Sequence, residues 1–128
     1  MITIGHVTDI DLELYDEVWY ITNNTPNMKV GCKHVPELAP HFTEYVNYRH
    51  GNIKLQQLLQ NYANALWSDK YDQIINKLLR ESETKWILLV CYCNNVQECH
   101  RYLLYRYLRT LVDDVQLLGE ESDTEYAT

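Results

Sequence analysis

Residues 86–112, WILLVCYCNNVQECHRYLLYRYLRTLV, decide the fold. From Trp86 to Cys93 the chain carries no charge, no Gly and no Pro. A short uncharged run bounded by turn formers predicts a strand covered on both faces, as in a parallel sheet. Cys91 and Cys93, two residues apart, share one face of such a strand. Asn94 and Asn95 are helix-capping types, and either is a candidate cap. From Val96 the apolar spacing becomes helical, with Val96, Leu103, Leu104, Tyr107, Leu108 and Leu111 on one stripe. Cys99, His100 and Arg101 then fall in or near the first turn. Unpaired amides and the positive end of the helix dipole favour anions and thiolates there. A ligand or catalytic site is expected at this strand-to-helix corner.

Working outward, Ile2 to Val7 reads as a first strand ending near His6. The segment 9–16 mixes acids with apolar residues and has no settled period. EVWYIT, Glu17 to Thr22, is a second strand, stopped by the turn-rich NNTPN. Lys29 to Val35 is a third, short strand. Pro36 and Pro40 bracket ELA and argue against a long helix there. His41 to His50 is aromatic and polar, closed by the Gly51-Asn52 turn signal. Leu55, Leu58, Leu59, Tyr62 and Leu66 repeat at helical spacing over residues 53–67. After a break at Ser68-Asp69, Tyr71, Ile74, Ile75, Leu78 and Leu79 predict a second helix ending near Arg80. Val115 to Leu118 reads as a last strand. Strands alternating with helices predict an α/β fold, with a mostly parallel sheet of about four to five strands flanked by helices. The expected domain spans residues 1–118, followed by an acidic, disordered tail over 119–128.

The 128 residues suit one domain with a proper core, and 46% hydrophobic against 23% charged residues is an ordinary globular balance. Eleven Tyr against one Phe supply apolar area with polar tips, for a core or for a contact surface. A net charge of −7 argues against general binding to nucleic-acid backbones. No run of 18 apolar residues exists, so no membrane span is expected. The opening MITIGH lacks the basic and apolar regions of a signal peptide, which predicts a cytoplasmic protein with reduced cysteines. Cys91, Cys93 and Cys99 lack a zinc-type spacing, and neither a metal nor another cofactor is expected.

Three chemistries compete at the corner. Cys93 or Cys99 is a candidate thiolate nucleophile activated by the helix end and by His100 or Arg101. Against this, free Cys is among the most buried residue types, and Cys91 reads as a core hydrophobe. A tyrosine-phosphatase loop would need Cys-x5-Arg, but that count from Cys93 lands on Cys99, so the pattern is absent. His100 lies on the apolar stripe, as a general base or as a satisfied core histidine. Arg101 opposes the helix dipole, a small cost that makes sense beside an anion or carboxylate. Glu98 and Glu37 are the carboxylates that would pair with it.

VCYCNNVQECHRYLLYRYL resembles the Cys-His-Arg segment of the bacterial family called domain of unknown function 488. The similarity extends along most of the chain. Thr3-Ile4-Gly5-His6 resembles that family's opening Thr-Ile-Gly-His, and His34-Val35-Pro36-Glu37-Leu38 its His-Leu-Pro-Glu-Leu. Tyr62 through Leu79 resembles its pre-strand helices. The resemblance implies a Rossmann-like fold with Cys99, His100, Arg101, His6 and His34 to Glu37 around one pocket. It supplies no activity. The chain departs from the family at Tyr20-Ile21-Thr22, where an Asp-x-Arg is usual, and after the strand-end Cys, where Tyr92-Cys93-Asn94 replaces a Glu. Small size and acidity fit a phage or mobile-element member.

Two functions follow. The first is a pocket, catalytic or not, for a phosphate-bearing small molecule, a nucleotide or a nucleic-acid end. Arg101, Asn94, Asn95, His34 and Glu37 would bind, with Cys99 or Cys93 as nucleophile and His100 or His6 as acid and base. The alternative is a non-enzymatic, acidic, Tyr-rich module that binds or inhibits a basic protein partner.

Overall fold

The five residues of β4 (Ile87–Cys91) are all buried, because this strand lies inside the sheet with neighbours on both sides. The computed structural model describes residues 1–24, 27–92 and 99–119. β1 (Ile2–His6) pairs with one edge of β4 and β2 (Glu17–Tyr20) with the other. β3 (Cys32–His34) adds outside β2, and β5 (Val115–Leu117) outside β1. The order is β3-β2-β4-β1-β5, and all four pairings are parallel. Four helices accompany it among the described residues: α1 (Phe42–Arg49), α2 (Leu55–Leu66), α3 (Asp72–Ser82) and α4 (His100–Leu111). The protein is an α/β fold of Rossmann-like type.

Alternation along the strands sorts the core. Ile2, Ile4, Trp19, Ile21, Ile87, Leu89 and Cys91 join one cluster with Leu58, Tyr62, Leu66, Ile75, Leu78, Leu104 and Leu108 of the helices. The residues between them, Val18, Tyr20, Leu88 and Val90, form a second, smaller cluster. Its cover is Tyr15, Val7, Ile10, Met28, Trp86 and Leu118. The long helices therefore serve one face, and connecting segments close the other. An uncharged β4 is what two covered faces require.

The chain breaks where its turn formers stand. Asp69 takes a left-handed φ of 70° between α2 and α3, at the expected Ser68-Asp69 break. Pro36–Leu38 makes one turn of 3-10 helix between the two prolines. A similar turn, Val7–Asp9, opens the acidic stretch after β1. α1 has no counterpart in the sequence reading. Residues 120–128, with most of the expected tail, lie outside the described residues.

Candidate functional site

A fully parallel sheet puts all strand carboxyl ends on one edge, where ligands of such folds gather. His6 ends β1, Ile21 and Thr22 follow β2, His34 ends β3 and Cys91 ends β4. The N-terminus of α4 is brought to the same edge. Cys99 is its N-cap, in extended conformation, with no side-chain capping bond. His100 and Arg101 are then the first two helical residues. The cap of α4 is Cys99; Asn94, Asn95 and Cys93 lie outside the described residues.

Cys91 and Cys99 meet sulfur to sulfur, their Sγ atoms 3.0 Å apart. Both are 1% exposed. A covalent disulfide is about 2.05 Å long, so this is a non-bonded contact. His100 lies against Cys99, with Nδ1 3.7 Å from its Sγ. The other ring nitrogen, Nε2, donates to the Ile21 carbonyl at 2.8 Å. A carbonyl only accepts, so Nε2 carries a proton and Nδ1 of the neutral ring is the basic nitrogen facing the thiol. A base oriented by a third group beside a thiol is the arrangement that activates cysteine nucleophiles.

Arg101 completes the cluster. Its Nη1 donates to Cys91 Sγ at 3.5 Å, and the residue is 4% exposed. None of the ion pairs among the described residues includes it, and among those residues its buried Nε has no acceptor. Glu37, one of its two expected partners, is exposed; Glu98, the other, lies outside the described residues. A guanidinium buried beside the Cys91 sulfur with an unused N–H favours negative charge at this spot.

Tyr62 forms the floor. Its ring meets the His100 ring edge-on at 5.5 Å, and its hydroxyl donates to the Leu38 carbonyl at 2.6 Å. Burial pushes this phenol well above its ordinary range, with Tyr71 and the two cysteines adding to the effect. Tyr62 is thus a fixed, neutral donor.

The remaining expected residues stand at the same edge without joining the cluster. His6 accepts from the Thr8 amide through Nδ1 and donates from Nε2 to the Tyr92 carbonyl at 3.1 Å, next to Cys91 in the chain. His34 donates from Nε2 to the Thr22 carbonyl at 2.8 Å, one residue beyond the His100 acceptor. Both histidines clamp strand ends. Glu37 lines a different feature, a groove of about 1190 Å³ with His41, Glu44, Asn61 and Tyr71, whose lining includes none of Cys99, His100 and Arg101. In that groove Tyr71 is pushed up to about 12, first by burial and then by Glu44.

Cys91 is the member that sequence reasoning set aside as core packing. The signal was present. The alternation of β4 puts Cys91 with Ile87 and Leu89 on the helix-covered face, and the helix that covers it starts at Cys99.

No curated protein and no solved structure matches the chain. The model of DUF488-N3a, described as the active DUF488-N3 subclade, matches residues 17–111. That span runs from the first residue of β2 to the last of α4 and holds the whole thiol, imidazole and guanidinium cluster. A match over so much of the fold, the Cys-His-Arg triplet included, makes this chain a member of the domain of unknown function 488 family.

Proposed function

We propose that the chain binds a phosphate-bearing small molecule, such as a nucleotide, at the carboxyl edge of the sheet, with Cys99 as nucleophile and His100 as its base. The observation that carries this is Arg101. A buried charge without a counter-charge costs several kcal/mol, and among the described residues no carboxylate meets this one. A phosphate oxygen would give the unused Nε its acceptor, and the first amides of α4 would add to the hold. Cys99 would pass its proton to His100 Nδ1, and the resulting imidazolium would keep its Nε2–H on the Ile21 carbonyl. A cytoplasmic setting, where thiols stay reduced, suits this chemistry. The matched subclade is described as active, which is consistent with a catalytic role.

The test is a titration of the labelled protein with inorganic phosphate and a nucleoside monophosphate, followed by amide chemical shifts. Shifts concentrated at His100 to Leu103 and lost in Arg101→Gln are expected. An absence of shifts at millimolar ligand, with salt-sensitive capture of a basic protein surface instead, would replace this reading by the acidic binding module.

A further inference from the structure

We propose that Cys91 and Cys99 are the two halves of a reversible disulfide, so that this corner carries a redox-active dithiol oxidised by hydroperoxides. The sulfurs are already in contact at 3.0 Å. Closing the bond takes about 1 Å of movement between two side chains. Their backbone positions differ in kind: Cys91 ends a strand with neighbours on both sides, and Cys99 caps a helix. The pair would tie β4 to α4 beside the buried guanidinium.

The neighbours divide the labour between the sulfurs. His100 Nδ1, aimed at Cys99 and fixed as the basic nitrogen by the Ile21 carbonyl, accepts the Cys99 proton. Arg101, donating to Cys91, favours the thiolate there. Cys99 sulfur attacks one peroxide oxygen, forming an S–O bond as the O–O bond breaks. The departing hydroxide takes the proton held by His100 and leaves as water. Cys91 sulfur then attacks the Cys99 sulfur, and the S–S bond forms as the S–O bond breaks. This second hydroxide takes the proton that Cys91 released and leaves as a second water. Two thiols lose two electrons, and one hydroperoxide gains them. Cys32 has no such company: burial pushes its thiol up, opposed only by Lys29.

The pairing stands on the sulfur geometry alone. It deepens the anion-binding reading in one respect, since oxidation would consume the proposed nucleophile. The experiment treats the reduced full chain with hydrogen peroxide, traps remaining thiols with N-ethylmaleimide and maps peptides without reductant. Cleavage after Tyr92 and Glu98 puts Cys91, Cys93 and Cys99 on separate peptides. The expected result is a Cys91–Cys99 cross-linked peptide that dithiothreitol resolves, absent in Cys91→Ala and retained in Cys93→Ala. Cross-links through Cys93 or Cys32, irreversible oxidation of Cys99 in the unmutated chain, or both thiols left for the trap would each overturn the proposal. If Cys91→Ala fails to fold, the Cys93→Ala map decides alone. Phosphate titration reads a separate event, so either result stands without the other.

Discussion

At Gly5 the absence of a side chain is what lets β1 end where it does. A Cβ built there would stand 2.7 Å from Asp9 Oδ2 and 3.1 Å from Leu118 Cδ1. That Asp9 oxygen accepts the His6 amide at 2.8 Å, so it is not free to swing away. Gly5→Ala should therefore loosen the Asp9 contact and the His6 bridge to Tyr92 together, at about 1–3 kcal/mol, the usual range for overpacking. Chemical denaturation with an unchanged m-value checks this, and a loss below about 0.5 kcal/mol would show that the turn yields freely. The same scale explains what the sequence revealed of the site. Arg101 stood out because a cation at a helix N-terminus asks for an anion. The residue facing it was legible only as a pattern: Cys91 carries no polar signature that separates a reactive thiol from a packing one. Tyr62 and the Ile21 carbonyl enter through tertiary contacts about 40 and 80 residues away from His100, a distance no local pattern spans.

Among the elements, β2 depends on one carboxylate. Glu17 accepts from the Trp19 indole and from Lys33 on β3 at 2.8 Å each, and it also pairs with Lys85, just before β4. Burial raises its pKa, but hydrogen bonds from Lys33, Lys85 and Trp19 outweigh that and bring it from 4.5 to about 2. A depressed carboxylate binds protons in the unfolded chain before it does in the folded one. Its stabilisation is thus complete above pH 4.5 and is lost as the pH falls through about 2. Glu17→Gln should be less stable than the parent at neutral pH, and the gap should narrow across that acid window. Parallel denaturation curves at each pH measure it, and a gap independent of pH would refute the assignment.

α1 makes the opposite case. FTEYVNYR has no apolar stripe, and none of its residues is buried. Its start rests on His41, whose Nδ1 accepts the Thr43 amide, an unusual cap. The helix was hidden in the sequence because periodicity is a record of burial, and α1 buries little. By contrast α2, α3 and α4 were readable from their stripes, and the strands from their β-branched or uncharged runs. Native-state hydrogen exchange should find α1 amides opening at far lower free energy than those of β4. Equal protection in the two elements would mean that α1 is held by more than its own contacts.

For the molecule as a whole, the strand order has a consequence for how the chain is made. β1 lies between β4 and β5, hydrogen-bonded to residues 87–91 and 115–117. During synthesis it emerges ahead of both neighbours and finds neither until β2, β3 and three helices have followed. β2 and β3, with residues 21–31 between them, are able to pair early, but the β4 strand that joins them to β1 comes only after α2 and α3. Parallel pairings over such separations carry a loop-closure cost before any contact repays it. Ile2 and Ile4, fully buried at the end, thus wait exposed on the nascent chain. The arrival of β4 is the event that turns two waiting fragments into one sheet, and the same stretch of chain delivers the cysteines, the histidine and the arginine. In this fold one passage of nascent chain joins the sheet and delivers the site, and β5 is added after it.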